Sequence, residues 1–197
     1  MNNHLSYWAL VLSIFTLFIF SGIAVATEEP KFSLLEKDQS FELRLYEPKI
    51  IAEVEVDGDM SAASRKGFRQ IADFIFGNNT AQSGKSEKIS MTAPVGVQQS
   101  EKNWRVSFVM PSQYTLETLP KPNNPQILIK QLPAKQFALI RFSGLVDEEK
   151  MQAKSAELNQ WITMKKLNPV GIPELARYNP PWTLPFLRRN ELMIEVE

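Results

Sequence analysis

Apolar and polar residues alternate from Phe41 to Tyr46 and again from Ile50 to Val56, with Pro48 between the two runs. A period of two is that of a half-buried strand, so two strands are predicted around the proline, following a polar linker. Asp57-Gly58-Asp59 is turn chemistry. After it, Phe68, Ile71, Ala72, Ile75 and Phe76 recur at helical spacing, which predicts a helix over Ser61 to Phe76 with Gly77 at its C′ position. Ile89, Met91 and Ala93 alternate with Ser90 and Thr92 until Pro94 removes a backbone donor, so a strand is predicted to end there. A further strand runs from Trp104 to Met110, with the strand ending at Pro94 as its expected partner.

The second half repeats this order. Strands are predicted over Gln126 to Leu132 and Gln136 to Phe142 around Pro133, Gly144 ends the second, and Asp147-Glu148-Glu149 opens a helix carrying Leu158, Trp161 and Ile162. A last strand covers Leu192 to Val196. Pro48 and Pro133 are 85 residues apart, Gly58 and Gly144 86, and Pro94 and Pro180 86. The spacing implies an internal duplication. The expected fold is α+β: a distorted antiparallel β-barrel of two pseudo-repeated halves, each contributing one flanking α-helix. The proline-rich stretch between the halves is too short to separate domains.

Composition places the chain among globular proteins, with 44% hydrophobic and 22% charged residues in 197. Lys plus Arg and Asp plus Glu both number 22, so no net charge supports a nucleic-acid partner. Residues 1–26 contain none of these charges. Their apolar run from Trp8 to Phe20, followed by Ala24-Val25-Ala26, predicts a cleaved secretory signal peptide, leaving a mature chain of residues 27–197 in the periplasm or outside the cell. The alternative is a membrane anchor formed by Tyr7 to Ala26, the only membrane contact that the sequence predicts.

Candidate chemistry is sparse. There is no cysteine, and the one histidine, His4, falls in the predicted signal, so the mature chain has neither a thiol nor an imidazole for nucleophilic catalysis or zinc. Glu53 and Glu55 share one strand face, most simply a solvated one. Gly84-Lys85-Ser86 lacks the first glycine of a phosphate-binding loop, and Asn78-Asn79-Thr80 is a glycosylation acceptor pattern. Arg188-Arg189 is a basic cluster that would either form surface ion pairs or grip a ligand carboxylate. Rings and prolines from Tyr178 to Phe186 either fill a barrel mouth or line an apolar site.

Four segments, Lys88 to Val95, Phe137 to Gly144, Leu175 to Thr183 and Phe186 to Glu191, together resemble the SOUL haem-binding protein family. The resemblance covers about Phe32 to Val196 and implies a two-half β-barrel that binds haem or another tetrapyrrole as a carrier or buffer, not as an enzyme. It places the porphyrin against the first helix: Arg65 matches a basic residue near the propionates, and Phe68, Ala72 and Ile75 are the expected apolar contacts. Asp73 stands where relatives carry a basic residue. Relatives that ligate iron through a histidine have no counterpart here, which leaves a weak Met or Tyr ligand. Two other functions stay open: a carrier or sensor for another apolar small molecule, as in bacterial effector-binding domains, and a hydrolase using Glu53 or Glu55.

Overall fold

The structure, a computed structural model, describes residues 27–197; the expected signal segment lies outside the described residues. Eleven strands and two α-helices follow in the order β1 (Phe32–Asp38), β2 (Phe41–Tyr46), β3 (Lys49–Val56), α1 (Met60–Ile75), β4 (Asn79–Thr80), β5 (Val95–Ser100), β6 (Asn103–Val109), β7 (Lys121–Pro122), β8 (Leu128–Leu132), β9 (Lys135–Phe142), α2 (Glu148–Met164), β10 (Glu174–Arg177) and β11 (Asn190–Glu195). Nine strands form one antiparallel sheet in the order β1-β2-β9-β11-β10-β5-β6-β3-β8. The sheet curls into a half-barrel with both helices beside it, which agrees with the expected α+β class. β4 and β7 form a separate small ribbon.

Both helices begin and end where their sequences direct. The Asp59 side chain accepts a hydrogen bond from the Ala62 amide at 2.8 Å, and Asp147 does the same for Lys150. Gly77, at φ +125°, takes the left-handed turn after α1, and the Asn78 amide returns to the Asp73 carbonyl at 3.0 Å, a Schellman closure. One face of each helix packs on the same face of the sheet. Ile71, Phe74 and Ile75 of α1 and Leu158, Trp161 and Ile162 of α2 join Val54, Val106, Phe108, Ile140 and Leu192 in the main core. Burying each large side chain contributes roughly 1.5–3 kcal/mol.

The strand order reads the same from either end of β2 to β8 when β2, β3, β5 and β6 are exchanged with β8, β9, β10 and β11. Gly58 and Gly144 both take positive φ between a strand and a helix, and Pro48 and Pro133 both lie in short links between consecutive strands that do not pair with each other. Pro94 and Pro180 do not correspond: Pro94 precedes β5, whereas Pro180 follows β10. The symmetry is one of connection, and it does not demonstrate duplication.

Three expectations require correction. The strand predicted to end at Pro94 is absent, and the partner of β6 starts after that proline, with Val95 opposite Phe108. Residues 88–91 instead run past the end of α1, where the Ile89 amide donates to the Ile75 carbonyl and the Ile89 side chain enters the core. Met91, expected to pack, is exposed. The segment before Phe41, read as a linker, contains β1, an edge strand whose exposed position demands no apolar alternation. β10, only four residues long, sits at the centre of the sheet with too few positions to show a period.

The closest approach of α1 to the sheet is at Gly67, where a Cβ would lie 2.6 Å from the Val106 side chain. Gly67→Ala should therefore lower the unfolding free energy by about 1–3 kcal/mol, measured by urea denaturation; an unchanged midpoint would mean that α1 can lift from β6 without loss.

Candidate functional site

Two surfaces bear on ligand binding. On α1, residues 61, 65, 68, 72 and 76 fall on one side of the helix, spaced four, three, four and four apart. From Arg65 to the end of this line is about 16 Å at 1.5 Å per residue. Phe68 is 37% exposed, and its ring lies 5.4 Å from that of the buried Phe108, so it bridges the outer face and the core. Phe76 is exposed, with the Lys88 ammonium 5.8 Å from its ring. Arg65 is exposed and donates to the Ser61 hydroxyl at 2.6 Å. Ala72 is nearly covered, while Ile75, at 1% exposure, belongs to the core. Of the four expected contacts, Arg65 and Phe68 thus stand at the surface, Ala72 forms the floor between Phe68 and Phe76, and Ile75 supports the helix from below. The Asp73 carboxylate accepts from Asn78.

The other surface is the sheet face away from the helices. Glu42, Arg44 and Tyr46, the polar side of β2's alternation, point there and are buried. Arg44, 2% exposed, donates to Glu42, to the Tyr46 hydroxyl at 3.0 Å and to Glu191 at 2.9 Å. Glu191 is fully buried and also accepts from the Tyr178 hydroxyl at 2.8 Å and from Arg189 at 2.9 Å. Burial opposes the Arg44 charge, but the surrounding Tyr46 and Glu191 oxygens outweigh it and hold the guanidinium pKa above its ordinary value. Burial, with Glu191 adjacent, pushes the Tyr178 hydroxyl up. Leu139, Ala176 and Met193 pack with Tyr46 into a second, small apolar cluster beside these charges.

Residues 28–31 close over this face. Glu28 pairs with Thr92, and its carboxylate accepts from the Ser112 amide at 2.8 Å; Glu29 meets Arg189 at 2.9 Å; the Lys31 carbonyl accepts from the Glu47 amide at 3.0 Å. Phe32 then lies 4.2 Å from the Arg44 guanidinium. The segment thereby ties the β5–β6 part of the sheet to the β2 part, across the opening of the half-barrel.

Several sequence-nominated groups have structural employment. Glu53, buried, is paired with Lys130 and lies 3.8 Å from Arg105, and Glu55 accepts from Asn103. Arg188 donates to the Thr183 and Pro181 carbonyls, whereas Arg189 stacks 3.6 Å from the Tyr178 ring and forms the expected surface ion pair with Glu29 as well as a pair with buried Glu191, so neither arginine stands free as a clamp. Ser86 donates to the Gly77 carbonyl as part of a polar loop. Sequence reasoning missed Glu174. Its carboxylate forms no hydrogen bond among the described residues and lies against Gly96, where a Cβ would be 2.2 Å from its oxygen. Burial pushes its pKa up, against the pull of Lys49 and Arg105. Glu174 and Gly96 are 78 positions apart and meet only through the pairing of β5 with β10, so no signal in the sequence marks the contact.

The sequence matches the SOUL heme-binding protein family over residues 27–195, and the chain belongs to that family. No curated protein matches it. Among solved structures, the EcmrR C-terminal domain superposes with a TM-score of 0.61 at 15% identity, covering 80% of this chain and 96% of that one. A hydrolase from Listeria innocua gives 0.62 at 13% identity, covering 83% and 94%. An uncharacterized conserved protein from the same organism gives 0.59 at 11%, covering 89% and 95%. At such identities the likeness is one of fold.

Because Arg44 is the counter-charge of a fully buried carboxylate, Arg44→Met should cost about 3–5 kcal/mol of stability. Chemical denaturation of Arg44→Met, Glu191→Gln and the double variant tests the coupling; a double variant as unstable as the sum of the two singles would show that the residues are not a pair.

Proposed function

We propose that this protein binds haem or a related tetrapyrrole on the outer face of α1 and acts as a carrier or buffer without turnover, in the periplasm or outside the cell. Membership of the SOUL family carries the reading. The helix face is compatible with such a ligand: Phe68, Ala72 and Phe76 offer an apolar strip for the macrocycle, with Arg65 at one end to meet its carboxylates. Residues 27–197 contain no histidine, so an iron ligand from this chain would be a methionine or tyrosine. Residues 1–26, as a cleaved signal, would direct the chain to its compartment. Haemin titrated into the protein should give a saturable Soret shift, and Arg65→Glu should weaken binding roughly tenfold, the equivalent of one charge-assisted hydrogen bond. A non-saturating spectrum would sink the proposal.

A second reading, a carrier for an organic cation, rests on Glu174, a carboxylate without a hydrogen-bond donor on the face opposite the helices. Burial holds its pKa above the ordinary 4.5, so a cation that needs the ionised form binds better as pH rises through and above that range. Aromatic cations should then raise the melting temperature more at neutral than at acidic pH, and Glu174→Gln should abolish the effect. Equal shifts in the variant would remove this reading. The hydrolase alternative draws no support from Glu53 or Glu55, which are held by Lys130 and Asn103.

A further inference from the structure

Between β10 and β11, residues 178–189 form a loop that holds four large apolar side chains in water. Trp182 is 82% exposed, and Leu184, Phe186 and Leu187 are each more than half exposed. This is not the state of a slack loop. Pro180, Pro181 and Pro185 restrict its backbone, the Thr183 amide donates to the Pro180 carbonyl at 3.0 Å, and the Leu187 amide donates to Leu184 at 2.9 Å. Arg188 reaches back to the Thr183 and Pro181 carbonyls, and the Gly144 amide donates to the Pro185 carbonyl at 2.9 Å. Because the backbone is fixed from within and from β9's end, the four side chains cannot fold under the loop to escape solvent. An apolar tip kept outward in this way needs a partner.

The surroundings indicate its chemistry. Beside the tip, a hollow of about 520 Å³ is lined by Phe186 and Leu187 on one side and by Lys37, Arg141 and Arg188 on the other. Glu42, also in its wall, is engaged by Arg44 and Lys37. Arg141 is exposed and forms no side-chain hydrogen bond or ion pair among the described residues, leaving an available cation next to the apolar group. Apolar and aromatic side chains bordered by cations match the boundary between acyl chains and anionic headgroups.

The path of the chain adds an independent observation. Glu28 pairs with Thr92, three residues before Val95, and Val95 pairs with Arg177, the last residue of β10 before the loop. The chain therefore joins the sheet at the end that carries the loop, and where the uncharged Tyr7 to Ala26 act as the alternative membrane anchor instead of a cleaved signal, they precede that end in sequence. We propose that the loop inserts Trp182, Leu184, Phe186 and Leu187 into the surface of a phospholipid bilayer while Arg141 meets its anionic headgroups. The sequence predicted membrane contact only through the N-terminal segment; this surface is a second contact and does not depend on haem binding.

The test uses the full chain with vesicles of phosphatidylcholine, with and without phosphatidylglycerol. The difference in emission between the wild type and Trp182→Phe isolates Trp182 from the other three tryptophans. That difference should shift to the blue on vesicles and be quenched by lipids brominated near the headgroup end of the acyl chain. Leu184→Ser, Phe186→Ser and Leu187→Ser combined should abolish the quenching with an unchanged far-ultraviolet circular dichroism spectrum, since these side chains bury little. Arg141→Glu should remove any preference for phosphatidylglycerol. Trp182 emission indifferent to brominated lipid, on vesicles that the chain nonetheless binds, would overturn the proposal and leave the loop as a surface for another protein. Retention of the phosphatidylglycerol preference in Arg141→Glu would overturn the headgroup role.

Discussion

The guanidinium of Arg44 constrains the face of the sheet on which it lies. A cation on a mid-sheet strand, cut off from water, must be matched by anions in fixed positions. Glu42 comes from its own strand, but Glu191 comes from β11, two strands away across β9. Glu191 in turn holds Tyr178 and Arg189, and Arg189 holds Glu29 in the segment that crosses the opening. The order β2-β9-β11, the base of the β10–β11 loop and the covering residues 28–31 are thereby linked through one charge network. Removing Arg44 or Glu191 disrupts the pairing of two fully buried charges, which is costlier than losing a surface ion pair.

This network also decides where a large apolar ligand can go. The face of the half-barrel away from the helices is occupied by Arg44, Tyr46, Glu191 and Tyr178, with the small cluster of Leu139, Ala176 and Met193, and residues 28–31 lie over it. Apolar surface open to solvent lies instead outside, on the strip of α1 from Phe68 to Phe76. That strip exists because the helix buries only part of its circumference: Ile71, Phe74 and Ile75 satisfy the core, and Phe68 reaches both ways. The Met60 amide at the start of α1 donates to Glu148, four residues beyond the Gly144 that holds Pro185 of the β10–β11 loop.

Most elements were legible wherever a sequence period met a matching environment. β2, β3, β6, β9, both helices and their capping aspartates follow the pattern because each buries one face against a single large core. The pattern misled where a residue's environment came from elsewhere. Ile89 alternates like a strand residue, yet its amide is claimed by the end of α1. β1 has little alternation because it lies at an edge, and β10 is too short to show any. Of the four residues that the family resemblance nominated, Arg65 and Phe68 stand at the surface, Ala72 is nearly covered, and Ile75 shares their helix but faces the core. The basic pair Arg188-Arg189 and the carboxylates Glu53 and Glu55 look available in one dimension and are already engaged in three.

By itself, the sequence determined the α+β class, both helix starts and the end of α1, the connections around Pro48, Gly58, Pro133 and Gly144, and the family, because these depend on neighbouring residues and on motifs contiguous in the chain. Only the tertiary structure decided which side of each element meets solvent. The polar stripe of β2 reads as a solvated face, but the sheet's curl and the covering segment enclose it with Glu191 from 147 positions further along. Of the rings from Tyr178 to Phe186, which the sequence left to fill a barrel mouth or line an apolar site, Trp182 and Phe186 stand in water and Tyr178 packs against Arg189. Burial is a property of what packs over a residue, and the groups that cover or fail to cover these came from distant parts of the chain.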